Sequence, residues 1–500
     1  RRYAPADGRK ERRIHLTLNL NEYRDKVYAC WVGKNIGGTM GTPYEGGREL
    51  LDIKGFATAP NVVLPNDDLD LQIVWLHALE KEGPYGLDAK KLGEYWLSFI
   101  TPYWNEYGIG KTNMRRGLMP PLSGDYQNTW QHSNGAWIRT EIWASLAPAA
   151  PAVAAKYAME DAAVDHGAGE GTAAAAFVAA MQSAAFAETS VRRIVEVGLA
   201  AIPKESRVAK SIRLVMDMYD AKKTPVEARN AVLEQNKDIG DGWFEAPSNV
   251  AYTVLGLLYG EGDFKKSMIL AINCGDDTDC TGATVGSTLG ILGGMAAIPE
   301  DWRAYIGDTI VTVCIPRGFL YGLPDTCQQL TDRVIRQTPV MLVANNVDLT
   351  LTEGKTELPA DVHAAFLKSV GTVREKLENL QPYSFTVTMG IADVTVQYLD
   401  TPDIRPNGES RLKLTFRNNW EKFGGALYFF NLRWILPEGF SVRCQNNVRV
   451  AHINAHYNGL TEVEAVITAG DVVLPKQKVV LEVTVDDRYD AAYLPIPFLG

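Results

Sequence analysis

Near residue 382 the hydrophobic period of the chain changes, and that change sets what it can fold into. Before it, apolar residues recur at three- and four-residue spacing through 23–32, 70–79, 91–100, 191–202, 206–219 and 248–258. That spacing lines one face of an α-helix. The stretch 144–187 is rich in alanine, and side chains this small let helices approach closely. After the change come short β-branched or aromatic runs at 385–389, 394–399, 411–416, 426–434, 462–467 and 479–485, with turn-rich pieces at 402–409 and 437–439 between them. Strands at that interval predict an all-β, immunoglobulin-like sandwich. The expected fold is a large all-α domain over 20–345, a helical or irregular connection over 346–381, and a small β-sandwich over 382–500. A chain of 500 residues exceeds what one core supports, which agrees with several domains.

Charge and composition exclude several functions. A formal net charge of −10 and a pI near 5.4 argue against nucleic acid as the partner, because phosphate binding needs a basic face. No run reaches the roughly 18 apolar residues that a bilayer crossing requires. The six cysteines are too few and too scattered for a disulfide scaffold, and none has zinc-site spacing. The chain begins at Arg1 rather than Met, which points to an upstream segment removed beforehand. Were that a signal peptide, the protein would be secreted or periplasmic, so the compartment stays open.

Two acidic clusters stand out. LPNDDLDLQ (64–72) packs Asn66, Asp67, Asp68 and Asp70 into five positions where a helical pattern begins. NCGDDTDCTGATVGS (273–287) places Asp276, Asp277 and Asp279 before a helix with small residues at Gly282, Ala283, Gly286 and Gly290. One carboxylate at a helix start is explained by capping and by the helix dipole. Three in each cluster repel one another, and a bound cation would relieve that repulsion. Oxygen donors without imidazole or thiolate partners favour a hard ion, Mg²⁺ or Mn²⁺.

With three further stretches, these clusters resemble the ADP-ribosylglycohydrolase family, which includes the hydrolase that reverses nitrogenase-reductase modification and the crystallin-like relatives. GGTMGTPYE (37–45) resembles the family's G-D-x-x-G-x-P-x-E loop, and NDDL (66–69) its T-D-D-T motif. HSNGAWIR (132–139) is similar to G-N-G-x-x-M-R, and GDDTDCTGATVG (275–286) to the closing G-G-D-T-D-T. His166, in DHGAGEG, stands where the family often has a Thr-His pair. The resemblance implies a compact all-α fold with a cleft between helix starts that usually holds two Mg²⁺ ions. Asn66, Asp67, Asp68, Asp277, Asp279 and Cys280 fall at its ligand positions. The departures are Gly38 for Asp, Asn66 and Leu69 for the two Thr of the first motif, and Cys280 for the last Thr. An Asn66 amide oxygen can still coordinate, Leu69 cannot, and Cys280 is a soft, poor ligand for Mg²⁺. Asp276, where the family often has Gly, is a candidate to compensate. One or two ions are therefore expected.

The resemblance implies an enzyme, a Mg²⁺-dependent hydrolase of an N- or O-glycosidic bond to a ribose-like sugar. Such chemistry needs an oxocarbenium-like transition state to be stabilised, a proton for the leaving group and an activated water. Glu45 falls at the position of the carboxylate that handles the proton, and Glu170 is a second acid candidate. Asn134, Gly135, His132 and His166 are candidates for holding a small-molecule or glycoside substrate. Phe430, Leu432 and Trp434 alternate as core residues of the sandwich would. Two alternatives remain: a glycoside hydrolase acting on a carbohydrate, and a non-catalytic sugar- or nucleotide-binding protein that keeps the fold. The changed ligand positions and the appended sandwich point to a substrate other than ADP-ribosyl-arginine, a pentose-containing glycoside being the favoured class.

Overall fold

The computed structural model describes residues 15–239, 243–316, 322–389, 392–418, 428–450, 459–486 and 491–500. The chain divides into two compact units. The first comprises Arg1–Pro102, His132–Ala162 and Gly169–Asn379, and the second Tyr103–Gln131, Ala163–Ala168 and Leu380–Gly500.

The first unit is helical. The periodic segments lie in the helices Leu20–Gly41, Asp67–Glu82, Ala89–Phe99, Val191–Ala201, Arg207–Asp220 and Ala246–Gly260. The alanine-rich stretch forms Glu141–Leu146, Pro151–Ala162 and Glu170–Ala184, and every residue of the last from Gly171 onward is buried. Two helices run through the centre, Leu20–Gly41 and Thr278–Gly293, and most of their residues are buried. Glycines at four-residue intervals let their backbones meet. A Cβ on Gly33 would lie 2.2 Å from Gly286 O, and one on Gly37 2.1 Å from Gly282 O.

Local signals fix the helix ends that matter. Asn66 caps Asp67–Glu82 by accepting the Asp68 N–H at 2.8 Å, and Gly83, at φ +70°, ends that helix. Asp277 occupies the N-cap position of Thr278–Gly293 without a side-chain capping bond, and Gly294, at φ +65°, ends it. The connection expected to be helical or irregular contains the helices Val362–Ser369 and Gly371–Glu378, but also a strand. Leu349–Thr352 pairs in parallel with Leu16–Asn19. Its LTLT alternation is too short to announce a strand whose partner lies at the other end of the unit.

The second unit is built on antiparallel sheets. One runs Ser384–Thr388, Ala392–Tyr398, Glu409–Asn418, Leu460–Thr468, Ser441–Arg443, and the other Ala491–Phe498, Gln477–Val485, Tyr428–Ile435, Asn447–Val450. Residues 426–427 of the expected run 426–434 lie outside the described residues. Alternate side chains from both sheets form one core, with Val394, Val396, Leu412 and Leu414 from the first and Phe430, Leu432, Leu481 and Leu494 from the second. Trp434 packs against that core while partly buried. Leu118, Leu122 and Tyr126 complete it, so residues 103–131 fold with the sheets rather than with the helices that flank them in sequence. Asp125 ties the pieces together: its Oδ1 accepts from Ala168 N at 2.8 Å and its Oδ2 from Tyr383 N at 3.0 Å.

Candidate active site

The two acidic helix starts converge. Oxygens of Glu45, Asp277 and Asp279 lie within 4.8 Å of one another, as do ligand atoms of Asp68, Asp279 and Cys280. Glu45 follows the 3₁₀ turn Thr42–Tyr44, which continues the central helix Leu20–Gly41. Its loop is fastened to the second acidic cluster by backbone bonds, Gly46 N to Asp276 O at 2.8 Å and Asp276 N to Gly47 O at 2.6 Å. Glu45 itself is exposed at the rim, whereas Asp277 and Asp279 are buried.

The buried carboxylates differ in what satisfies them. Asp277 Oδ2 accepts from Asn134 Nδ2 at 2.6 Å, and Asn134 Oδ1 accepts from Trp137 Nε1 at 2.9 Å. Among the described residues, no fixed donor reaches the other Asp277 oxygen, Oδ1, or Asp279 Oδ1, both buried, so that the two acids are left to share a proton with each other. A buried carboxylate oxygen left unpaired is costly. Two of them facing a third carboxylate form an all-oxygen set that suits one hard divalent ion. The observed donors therefore fit the ion that the sequence resemblance implies.

Without an ion the group holds protons. Burial, followed by the charge of Glu45, pushes Asp279 up to about 7. Burial and then Asp279 raise Asp277 well above the carboxylate range. Partial burial, with Asp67, Asp68 and Asp276 nearby, pushes Glu45 up to about 7.

Asp68 is in a different position. Its Oδ1 lies 3.2 Å from Lys34 Nζ, and its Oδ2 accepts from Cys280 Sγ at 3.4 Å. Lys34, on the central helix, also lies 3.2 Å from Glu141 Oε2 and donates to Ile138 O at 2.7 Å. Burial pulls this ammonium down, but Glu141 and Asp68 more than offset that and hold it above its usual value. Burial raises the Cys280 thiol well above its usual value, so it stays a neutral donor. Neither Lys34 nor Glu141 is among the residues that the sequence motifs single out. The one available signal was a lysine inside the otherwise apolar, glycine-rich CWVGKNIGG (30–38), which in a buried helix demands a carboxylate partner.

The other expected site residues fall in several places. Asn66 spends its amide oxygen on the helix cap, and its Nδ2 fills the space beside Gly38, where a Cβ would come within 2.1 Å. Asp67 opens the same helix and lies close enough to raise Glu45 and Asp279. Asp70 accepts the backbone N–H groups of Val313 at 2.5 Å and Cys314 at 2.6 Å. Asp276 does not compensate for the changed ligands. With φ at +67°, it turns its oxygens to Phe244 N at 3.0 Å and Asn249 Nδ2 at 2.9 Å.

Asn134 braces Asp277, and the Gly135 carbonyl accepts from Arg139, which is itself paired with Asp161 at 2.9 Å. The His132 carbonyl accepts from Ala246 N at 2.8 Å, anchoring this stretch to the start of Ala246–Gly260. Glu170 is engaged elsewhere: its oxygens accept from Arg207 N at 2.9 Å and Val208 N at 3.1 Å, capping Arg207–Asp220. His166 belongs to the second unit, with its Nδ1 2.8 Å from Asp165 Oδ1.

Comparison with known proteins agrees with this picture at the level of family. No curated protein matches the chain. Among solved structures, an ADP-ribosylglycohydrolase-related protein complex is 19% identical, with 64% of this chain and 98% of that chain covered and a TM-score of 0.41. A FixG-related protein from Vibrio parahaemolyticus is 11% identical over 22% of this chain and 98% of its own, with a TM-score of 0.18. The GAE domain of GGA2p from Saccharomyces cerevisiae is 15% identical over 24% and 97%, with a TM-score of 0.15. The sequence pattern of the ADP-ribosylglycohydrolase family matches residues 19–339, which span both acidic helix starts and Glu45. The chain belongs to the ADP-ribosylglycohydrolase family, whose members are generally hydrolytic enzymes.

Proposed function

We propose that the chain is a Mg²⁺- or Mn²⁺-dependent hydrolase of an N- or O-glycosidic bond to a ribose-like sugar, with Glu45 as the acid–base group. One observation carries this reading: buried oxygens of Asp277 and Asp279 that no fixed donor reaches among the described residues, set within reach of Glu45. When bound there, the ion supplies a positive centre that orients sugar hydroxyls and water. Asn134 keeps Asp277 in place and Trp137 keeps Asn134 in place, so the ligand geometry exists before substrate arrives. Glu45, at the exposed rim, can hold a proton for the leaving group and then take one from water. The altered ligand positions Asn66 and Cys280 favour a substrate other than ADP-ribosyl-arginine, and a pentose-containing glycoside is the preferred class.

The test is turnover of ADP-ribosyl-arginine, ADP-ribosyl-serine, O-acetyl-ADP-ribose and a panel of aryl pentosides and hexosides, with Mg²⁺ present. Glu45→Gln should fold and lose roughly 10²–10⁴-fold in turnover of whichever substrate is cleaved. Unchanged activity in Glu45→Gln would remove its role. Efficient cleavage of an ADP-ribosylated amino acid, with kcat/KM above about 10⁴ M⁻¹s⁻¹ and no glycosidase activity, would refute the substrate assignment.

A further inference from the structure

We propose that the Lys34 ammonium takes the place of a second divalent ion, so that the cleft holds one ion, at Asp277 and Asp279, and none at Asp68. This rests on the ion site proposed above and specifies its composition. By distance alone, Asp68, Asp279 and Cys280 would make a second ion position, since their ligand atoms lie within 4.8 Å of one another. The hydrogen bonding says otherwise. Both Asp68 oxygens are already engaged, Oδ1 by Lys34 at 3.2 Å and Oδ2 by the Cys280 thiol at 3.4 Å. Asp277 and Asp279, by contrast, each retain a buried oxygen that no fixed donor reaches among the described residues.

Lys34 is not free to leave. Its three donors are met by Asp68, Glu141 and the Ile138 carbonyl. Glu141 is likewise built in, accepting from Gln72 at 2.9 Å and from Gln182 and Ser287 at 3.0 Å each. A divalent ion at Asp68 would have to displace the thiol proton donor and sit beside a buried positive charge, which opposes it strongly in a medium of low polarity. Lys34 already offsets much of the charge that would attract the ion, and of the two remaining ligands Asp279 belongs to the first site and the neutral Cys280 sulfur suits Mg²⁺ poorly.

The experiment counts Mn²⁺ bound per folded chain by equilibrium dialysis and locates it by manganese anomalous scattering in crystals. Wild type is expected to bind one Mn²⁺, at Asp277 and Asp279. Two ions would overturn the inference and leave the ion-site reading standing, while none would overturn the ion-site reading and the inference with it. Cys280→Thr, which keeps Lys34 and restores a hard oxygen, is expected still to bind one, and a second ion there would show that Lys34 excludes nothing. The double variant Lys34→Met with Cys280→Thr is expected to gain a second ion at Asp68. A folded double variant with a single ion overturns the assignment. Should that variant fail to fold, the counts on wild type and on Cys280→Thr decide.

Discussion

The two departures Gly38 and Asn66 are one steric arrangement. The Asn66 amide occupies the volume that any side chain at position 38 would need: Nδ2 would be 2.1 Å and Cγ 3.1 Å from a Cβ there. Gly38 lies within a helix, so the contact is steric and owes nothing to backbone torsion. Gly38→Ala should therefore cost about 1–3 kcal/mol through overpacking. In an Asn66→Ser background, which keeps a capping oxygen but removes the amide nitrogen, most of that penalty should disappear. Urea unfolding of the two single variants and the double variant checks this. An equal penalty for Gly38→Ala in both backgrounds would show that the amide is not the obstacle.

The central helix pair depends on contact between backbones. Gly33, Gly37 and Gly41 on Leu20–Gly41 face Thr278–Gly293, whose Gly282, Gly286 and Gly290 face back. A Cβ on Gly286 would stand 2.1 Å from Gly33 O, and neither helix can retreat without moving the acidic start of Thr278–Gly293 away from Glu45. Gly286→Ala should cost more than about 4 kcal/mol or prevent folding, the range reserved for severe core disruption. Gly371→Ala, whose Cβ would meet nothing within 4 Å among the described residues, should stay within about 1 kcal/mol of wild type. Denaturant midpoints of the two variants make the comparison, and similar midpoints would refute the packing argument.

The sequence showed part of this and hid the rest for physical reasons. Periodicity identified several long helices and six of the sheet strands, though not Cys327–Ala344 or Ala491–Phe498, because burial on one face leaves a repeating mark. It missed Leu349–Thr352 and the recruitment of residues 103–131 to the sheets, which depend on partners distant in sequence. Charge crowding marked Asp277 and Asp279, yet gave no sign of which carboxylates were already satisfied. Asp68 is paired with Lys34 and the Cys280 thiol, whereas Glu170 is consumed by the free N–H groups of a neighbouring helix. A motif names residues at a site but cannot say where each side chain finds its hydrogen bonds.

At the scale of the whole chain, all the groups assigned to chemistry belong to the first unit, and the second has its own core. The stability of the first unit should therefore report directly on the ion site. Glu45 and Asp279 are each raised to about 7 in the ion-free chain, against unfolded carboxyl values of about 4. Between those values the folded chain binds more protons than the unfolded chain, so stability falls as pH rises from about 4 to about 7. Mg²⁺ binds the deprotonated carboxylates and should reverse that loss by mass action. The direct test is thermal unfolding of wild type and Asp277→Asn across this pH range and at about pH 8, with and without Mg²⁺. The expected result is an ion-free midpoint that falls with pH and recovers with Mg²⁺ in wild type. Asp277→Asn should melt close to the ion-free wild-type midpoint, because it replaces a carboxyl that burial already keeps protonated, and should gain little from Mg²⁺. A wild-type midpoint at about pH 8 that is the same with and without Mg²⁺ would contradict the assignment of Asp277 and Asp279 as the ion site.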